Sequence, residues 1–254
     1  MPYQAQQNSE FGDEIQFGGG ARNLSSVNLT LSDWAQYSTY SSNSSYSAAG
    51  WKWPLTLTLY SVGAGNTLGS VIATRTINPT ILWRPAPDGC DSNGGFTGSD
   101  GSCDHGLAQN VTFNFSGVTV PNQIIYGLSF NTQTYGANPT GVAGPYNSLN
   151  FGLNYVCTGT CATNYGYYVS PTVGSQVDPH YLWFNNAGYD VTTGTANKFS
   201  QNYYPDPYYY VPAIQFNAVP EPSSLALFGI GLLGLGFGAI KRRRWTAGAG
   251  IQAS

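Results

Sequence analysis

Hydrophobic and polar positions alternate with period two along much of the first 219 residues, which places every second side chain on one face of a β-strand. Val27, Leu29 and Leu31 alternate through SVNLTL; Leu55, Leu57 and Leu59 through PLTLTLY; Val111, Phe113 and Phe115 through NVTFNFS; Leu149, Phe151, Leu153 and Tyr155 through LNFGLNY. Further predicted strands are EIQF, SVIATRTI, QIIYGLSF, YGYYV, YLWF and VPAIQF. The connectors, such as SVGAGNTLG and NTQTYGANPTGVAG, are built from turn-forming residues. No segment before residue 220 carries a convincing helical period, and strands do not alternate with helices. The pattern predicts an all-β fold, an antiparallel β-sandwich, jelly-roll-like, over residues 1–217.

After Val219 the pattern changes. Leu225 to Ile240, LALFGIGLLGLGFGAI, has no polar side chain. As a helix it would span about 24 Å, slightly less than a bilayer core of about 30 Å. Its glycines cost about 1 kcal/mol each in a water-exposed helix but are tolerated in a membrane, where Gly234-x-x-x-Gly238 allows close helix contact. Lys241, Arg242, Arg243 and Arg244 follow at once, and the positive-inside rule keeps such a cluster in the cytoplasm, leaving the body on the exported side. A single C-terminal transmembrane helix over residues 225–240 is therefore expected. Ahead of it, the two prolines of Val219-Pro220-Glu221-Pro222-Ser223-Ser224 keep the chain extended and accessible.

Val-Pro-Glu-Pro-Ser-Ser, a Gly/Leu-rich apolar run and a run of arginines, in this order, resemble the PEP-CTERM protein-sorting signal of Gram-negative bacteria. The resemblance implies that residues 218–254 form a sorting signal, anchored transiently in the inner membrane. It also implies a partner, the membrane-embedded cysteine transpeptidase exosortase, which recognises Pro220, Glu221 and Pro222 and processes the chain for the cell surface or the extracellular space. Two features depart from the usual pattern. Nine residues follow Trp245, and MPYQAQQNSE has neither a basic n-region nor an apolar h-region, so an export leader is expected to have been removed or missed upstream. The opening EFGDEIQFGGGARNLSSVNLTLSDWA resembles the start of a β-sandwich found in exported bacterial proteins of unassigned role, which implies the same fold and no activity.

Charge sharpens this division. Charged residues make up 8% of the chain, against about 25% in an ordinary soluble domain. Residues 1–219 hold five basic and eleven acidic side chains, net −6, whereas the tail carries one acidic and four basic ones. So acidic a body offers little counterion release, and no nucleic-acid partner is expected.

Four cysteines fall as local pairs, Cys90 with Cys103 and Cys157 with Cys161. Three connectivities are open; short loop closure favours the local one, in keeping with an exported chain, while a zinc site would draw on the same sulfurs and His105. Around the first pair, Asp88, Asp91, Asp100 and Asp104 supply oxygens suited to Ca2+, although the spacing is not that of an EF-hand and the same residues form turns. Asp13 shares strand parity with Phe11, Ile15 and Phe17, placing a carboxylate on an apolar face where it needs a partner or a metal. One structural Ca2+, at Asp13 or in this loop, is expected.

The histidines, His105 and His180, lie in loop contexts without a nucleophile motif, and Asp13 and Glu14 point to opposite faces of one strand. No catalytic constellation is recognisable and no enzyme is expected. The aromatics remain: Trp34, Trp51, Trp53, Trp83 and Trp183, with the tract from Tyr203 to Tyr210, combine flat apolar faces with hydrogen-bonding edges. Some fill the core. Trp51, Trp53, Tyr208 and Tyr209 are candidate contacts to extracellular polysaccharide. The expected function is a non-enzymatic, exported surface or matrix protein; a secreted glycan-active enzyme and a self-assembling structural protein are the alternatives.

Overall fold

The computed structural model describes residues 1–156, 174–177, 181–186, 200–203 and 209–219, and the compact unit to which they belong is Met1–Val219. It begins with β1 (Asn8–Phe17) and β2 (Asn23–Asp33), followed by the helical turn α1 (Tyr37–Tyr40) and the two-residue β3 (Trp51–Lys52). A hairpin of β4 (Leu55–Gly63) and β5 (Thr67–Ile77) leads to β6 (Thr80–Ile81), β7 (Phe96–Thr97) and β8 (Cys103–Asp104). Then come the long β9 (Leu107–Thr119), β10 (Gln123–Ser129), a 3-10 turn at Pro145–Ser148, β11 (Leu149–Phe151) and β12 (Leu153–Val156). The last strands are β13 (Gly174–Gln176), β14 (Tyr181–Asn186), β15 (Ser200–Tyr203), β16 (Tyr209–Pro212) and β17 (Ile214–Val219).

Among the described residues every strand pairing is antiparallel. The larger sheet runs β15-β14-β1-β10-β4-β5, with β13 also beside β1. In the smaller sheet β9 pairs with β2 from Asn23 to Asp33 along one edge, while β17 and β11 divide the other edge between them. β1, β4, β5 and β10 belong to the larger sheet and β2, β9 and β17 to the smaller, so the chain passes repeatedly between the sheets and apolar faces of both line one core. Phe11, Ile15, Leu57 and Leu128 of the larger sheet share that core with Leu29, Leu31, Phe113 and Phe216 of the smaller. Edge-on ring contacts cross it: Phe11 to Phe151 at 5.8 Å and Phe17 to Phe216 at 5.5 Å.

The period-two alternation explains the burial of Val27, Leu29 and Leu31 on β2, and the bulge between Leu24 and Ser26 brings Leu24 to the same side. At Gly12 the backbones approach so closely that an added Cβ would lie 1.7 Å from the Tyr126 carbonyl oxygen. The N-terminus joins the smaller sheet as well: Pro2 bridges Asn150, and the Met1 ammonium donates to the Phe151 carbonyl.

The segment YGYYV lies outside the described residues, as do residues 225–240 and the basic cluster behind them. Among the described residues no helix is long and apolar enough to cross a membrane.

Candidate functional site

Beyond Asp33, the chain leaves β2 and runs through WAQYSTYSSNSSYSAAGWKW, where aromatics punctuate a Ser-rich segment that lies mostly outside the core until Trp51 enters it. This segment folds over one end of the core as an aromatic cluster. Trp83 stands at its centre, with Tyr40 stacked on it at 5.8 Å, Tyr37 tilted at 5.7 Å and Tyr46 edge-on at 5.9 Å. Trp51 joins Trp83 to Trp53, and Trp53 stacks on Tyr146 with ring centroids 4.2 Å apart. Hydrogen bonds fix the indoles: Trp83 Nε1 donates to the Ser47 carbonyl at 2.7 Å and Trp53 Nε1 to the Asn131 carbonyl at 2.8 Å. Tyr37, Tyr40 and Tyr46 are partly exposed, and their hydroxyls make no hydrogen bond to another described residue. The result is a wall of aromatic rings whose indole N–H groups are engaged and whose three tyrosine hydroxyls have no partner among the described residues.

One of the expected contact residues sits differently from the sequence reading. Trp51 is 2% exposed and belongs to the core, so it supports the cluster from below and offers no face to a ligand. Trp53 is half-buried in the cluster. Tyr208 lies outside the described residues, as does the side chain of Tyr209. Tyr37, Tyr40, Tyr46, Trp83 and Tyr146 complete the cluster; the density of rings in residues 34–53 was the available signal, but only the fold brings Trp83 and Tyr146 to it.

Asp33 lies beneath the cluster, buried at the end of β2. Its Oδ2 accepts from Trp51 Nε1 at 3.2 Å and its Oδ1 from the Ala35 amide at 3.1 Å. Burial outweighs these two donors and pushes its pKa up to about 7.

The larger sheet carries three more sequestered carboxylates. Asp13 points inward as its parity predicts; it accepts from the Glu14 amide and faces Tyr126, whose phenol is pushed up by burial and by this carboxylate. Glu10 and Glu14 share the opposite face. Glu10 accepts from the Tyr60 hydroxyl at 2.8 Å, whereas Glu14 accepts from the Gln123 amide. Burial raises the pKa of both glutamates. They stand four residues apart on one strand and engage separate partners.

In the acidic loop Cys90 and Cys103 form a disulfide, Cα atoms 5.7 Å apart, which removes both sulfurs from any metal set. Its carboxylates bind the loop's own backbone. Asp88 accepts from Cys90 and Thr97, Asp91 from Asn93 and Gly95, and Asp100 from Ser102. The Ser102 hydroxyl bridges Asp100 to Asp104. These bonds hold Asp88 and Asp91 below the usual carboxylate range, led by Thr97 for the first and Gly95 for the second. His105 Nε2 closes the set at 2.8 Å from Asp91 Oδ2. Cys157, Cys161 and His180 lie outside the described residues.

Residues 218–244 match the family model of the PEP-CTERM protein-sorting motif. The chain therefore carries this motif, which contains Pro220, Glu221, Pro222 and the basic Lys241, Arg242, Arg243 and Arg244, all outside the described residues. It implies a protein exported by a Gram-negative bacterium and processed by exosortase. Comparison with curated proteins and with solved structures gives no match.

Proposed function

We propose that the exported domain is a non-enzymatic surface or matrix component whose aromatic cluster holds extracellular polysaccharide, on a jelly-roll-like β-sandwich frame. The observation that carries this reading is the ring wall formed by Tyr37, Tyr40, Tyr46, Trp53 and Trp83. Its faces suit the C–H surface of a sugar ring, and its tyrosine hydroxyls suit the sugar's own. The shuttling of strands between two sheets supports the sandwich frame. The separate engagement of Asp33, Glu10 and Glu14 supports binding over glycoside hydrolysis, which needs two carboxyl groups acting across one bond. In the same reading, residues 225–240 anchor the precursor in the inner membrane until exosortase acts at Pro220-Glu221-Pro222.

A glycan array spanning neutral and acidic polysaccharides tests the reading. Wild-type protein is expected to bind, with Trp83→Ala and Tyr40→Ala each weakening binding about tenfold, the equivalent of about 1.4 kcal/mol. An array on which the wild-type protein binds nothing overturns it. For the acidic loop, the backbone-satisfied carboxylates favour a turn-building role over a Ca2+ site. EDTA is expected to leave the melting temperature unchanged, and a fall reversed by Ca2+ would restore the metal.

A further inference from the structure

Trp34 is 48% exposed, unusual for the largest apolar side chain, yet it is held from several directions. Its Nε1 donates to Ser32 Oγ at 3.2 Å, and the Asn150 side-chain oxygen lies 3.3 Å away in the amide orientation that satisfies both Asn150 atoms. A Cβ on Gly106 would sit 2.4 Å from that same Nε1, so the indole lies where only a glycine leaves room. The His105 imidazole stacks against it, centroids 5.9 Å apart and planes 22° apart. His105 is tied to Asp91, and Asp91 to the Asn93 and Gly95 amides, inside the loop that the Cys90–Cys103 disulfide closes.

Immobilising a large exposed ring sacrifices rotamer entropy without the compensation of burial. A ligand gains from such a ring, because the ordering cost has already been met before binding. We propose that the outward face of Trp34 is a second ring-binding subsite, taking one pyranose unit of a neutral extracellular polysaccharide, and that the disulfide loop holds it through Asp91 and His105. The neutral class follows from the acidic body and from Asp91 at the rim, which would repel a uronic acid. The apolar face meets the sugar's C–H face, while the Ser32 hydroxyl and the His105 ring stand beside it. This inference rests on the polysaccharide reading above.

Affinity electrophoresis of the exported chain through gels containing hydroxyethyl cellulose, laminarin or dextran tests it. Trp34→Ala is expected to weaken binding about fivefold to tenfold and Trp34→Phe to recover part of that loss. Gly106→Ala, and the double variant Cys90→Ser with Cys103→Ser, are expected to weaken it at least threefold while Trp34 remains in the chain; circular dichroism of each variant checks that the sheets are intact. Wild-type affinity in folded Trp34→Ala overturns the subsite, even where Trp83→Ala still lowers binding. Loss confined to Trp34→Ala, with Gly106→Ala and the cysteine variant unchanged, overturns the role of the loop. Failure of wild-type protein to bind any of the three polymers overturns the neutral-sugar assignment, and the glycan array separates that result from failure of the polysaccharide reading as a whole.

Discussion

Asp33 shows how one carboxylate links the fold to pH. A carboxyl group whose folded pKa is raised stabilises the fold fully below its unfolded value, and that contribution disappears as pH rises through the folded value. For Asp33 the window runs from about 4 to about 7. Urea denaturation at pH 5 and pH 8 is expected to show wild-type stability falling by about 2 kcal/mol relative to Asp33→Asn over that interval, since one unit of pKa shift corresponds to about 1.4 kcal/mol. Parallel profiles for the two proteins would contradict the raised value. The chemistry of Asp33 could not be read from the sequence: TLSDWA looks like a strand end with a turn aspartate, and nothing local shows that Trp51, eighteen residues on, returns to cover it.

At the scale of the element, the strands were the most legible feature because their signal is local. Val27, Leu29 and Leu31 point one way whatever they pair with. Pairing was not legible, since β2 takes its neighbours from residues 107–119, 149–151 and 214–219, and no period records which strand lies beside which. SVGAGNTLG reads as a connector, yet Ser61–Gly63 ends β4 and Thr67–Gly69 begins β5, so the turn needs only three residues. The aromatic site was half legible: the ring density was visible, but the division between buried Trp51 and partly exposed Tyr40 depends on which loop folds inward. Close approach of β1 to β10 sets a sharper requirement. Gly12→Ala is expected to destabilise the domain by about 2–3 kcal/mol, because the new methyl meets backbone and must push the strands apart. A melting temperature equal to that of wild type would show that β1 and β10 separate freely.

For the whole molecule, the motif at residues 218–244 divides an acidic body from a cationic address. Mass spectrometry of the extracellular form is expected to find a C-terminus near residues 220–223, with the KRRR cluster absent; recovery of that cluster at the cell surface contradicts processing there. Pro220→Ala with Pro222→Ala is expected to leave the precursor in the inner membrane, measured by fractionation.

The position of β2 also bears on timing. Its partners enter the chain roughly 75, 115 and 180 residues after it, and β17 is completed only at Val219, inside the matched motif at residues 218–244. Pairings so distant in sequence fold slowly, and the second edge of β2 is not filled until almost the whole body has been synthesised. A chain that closes last at the end nearest its own address remains threadable for the longest time, which is the property a translocation channel requires of its passenger.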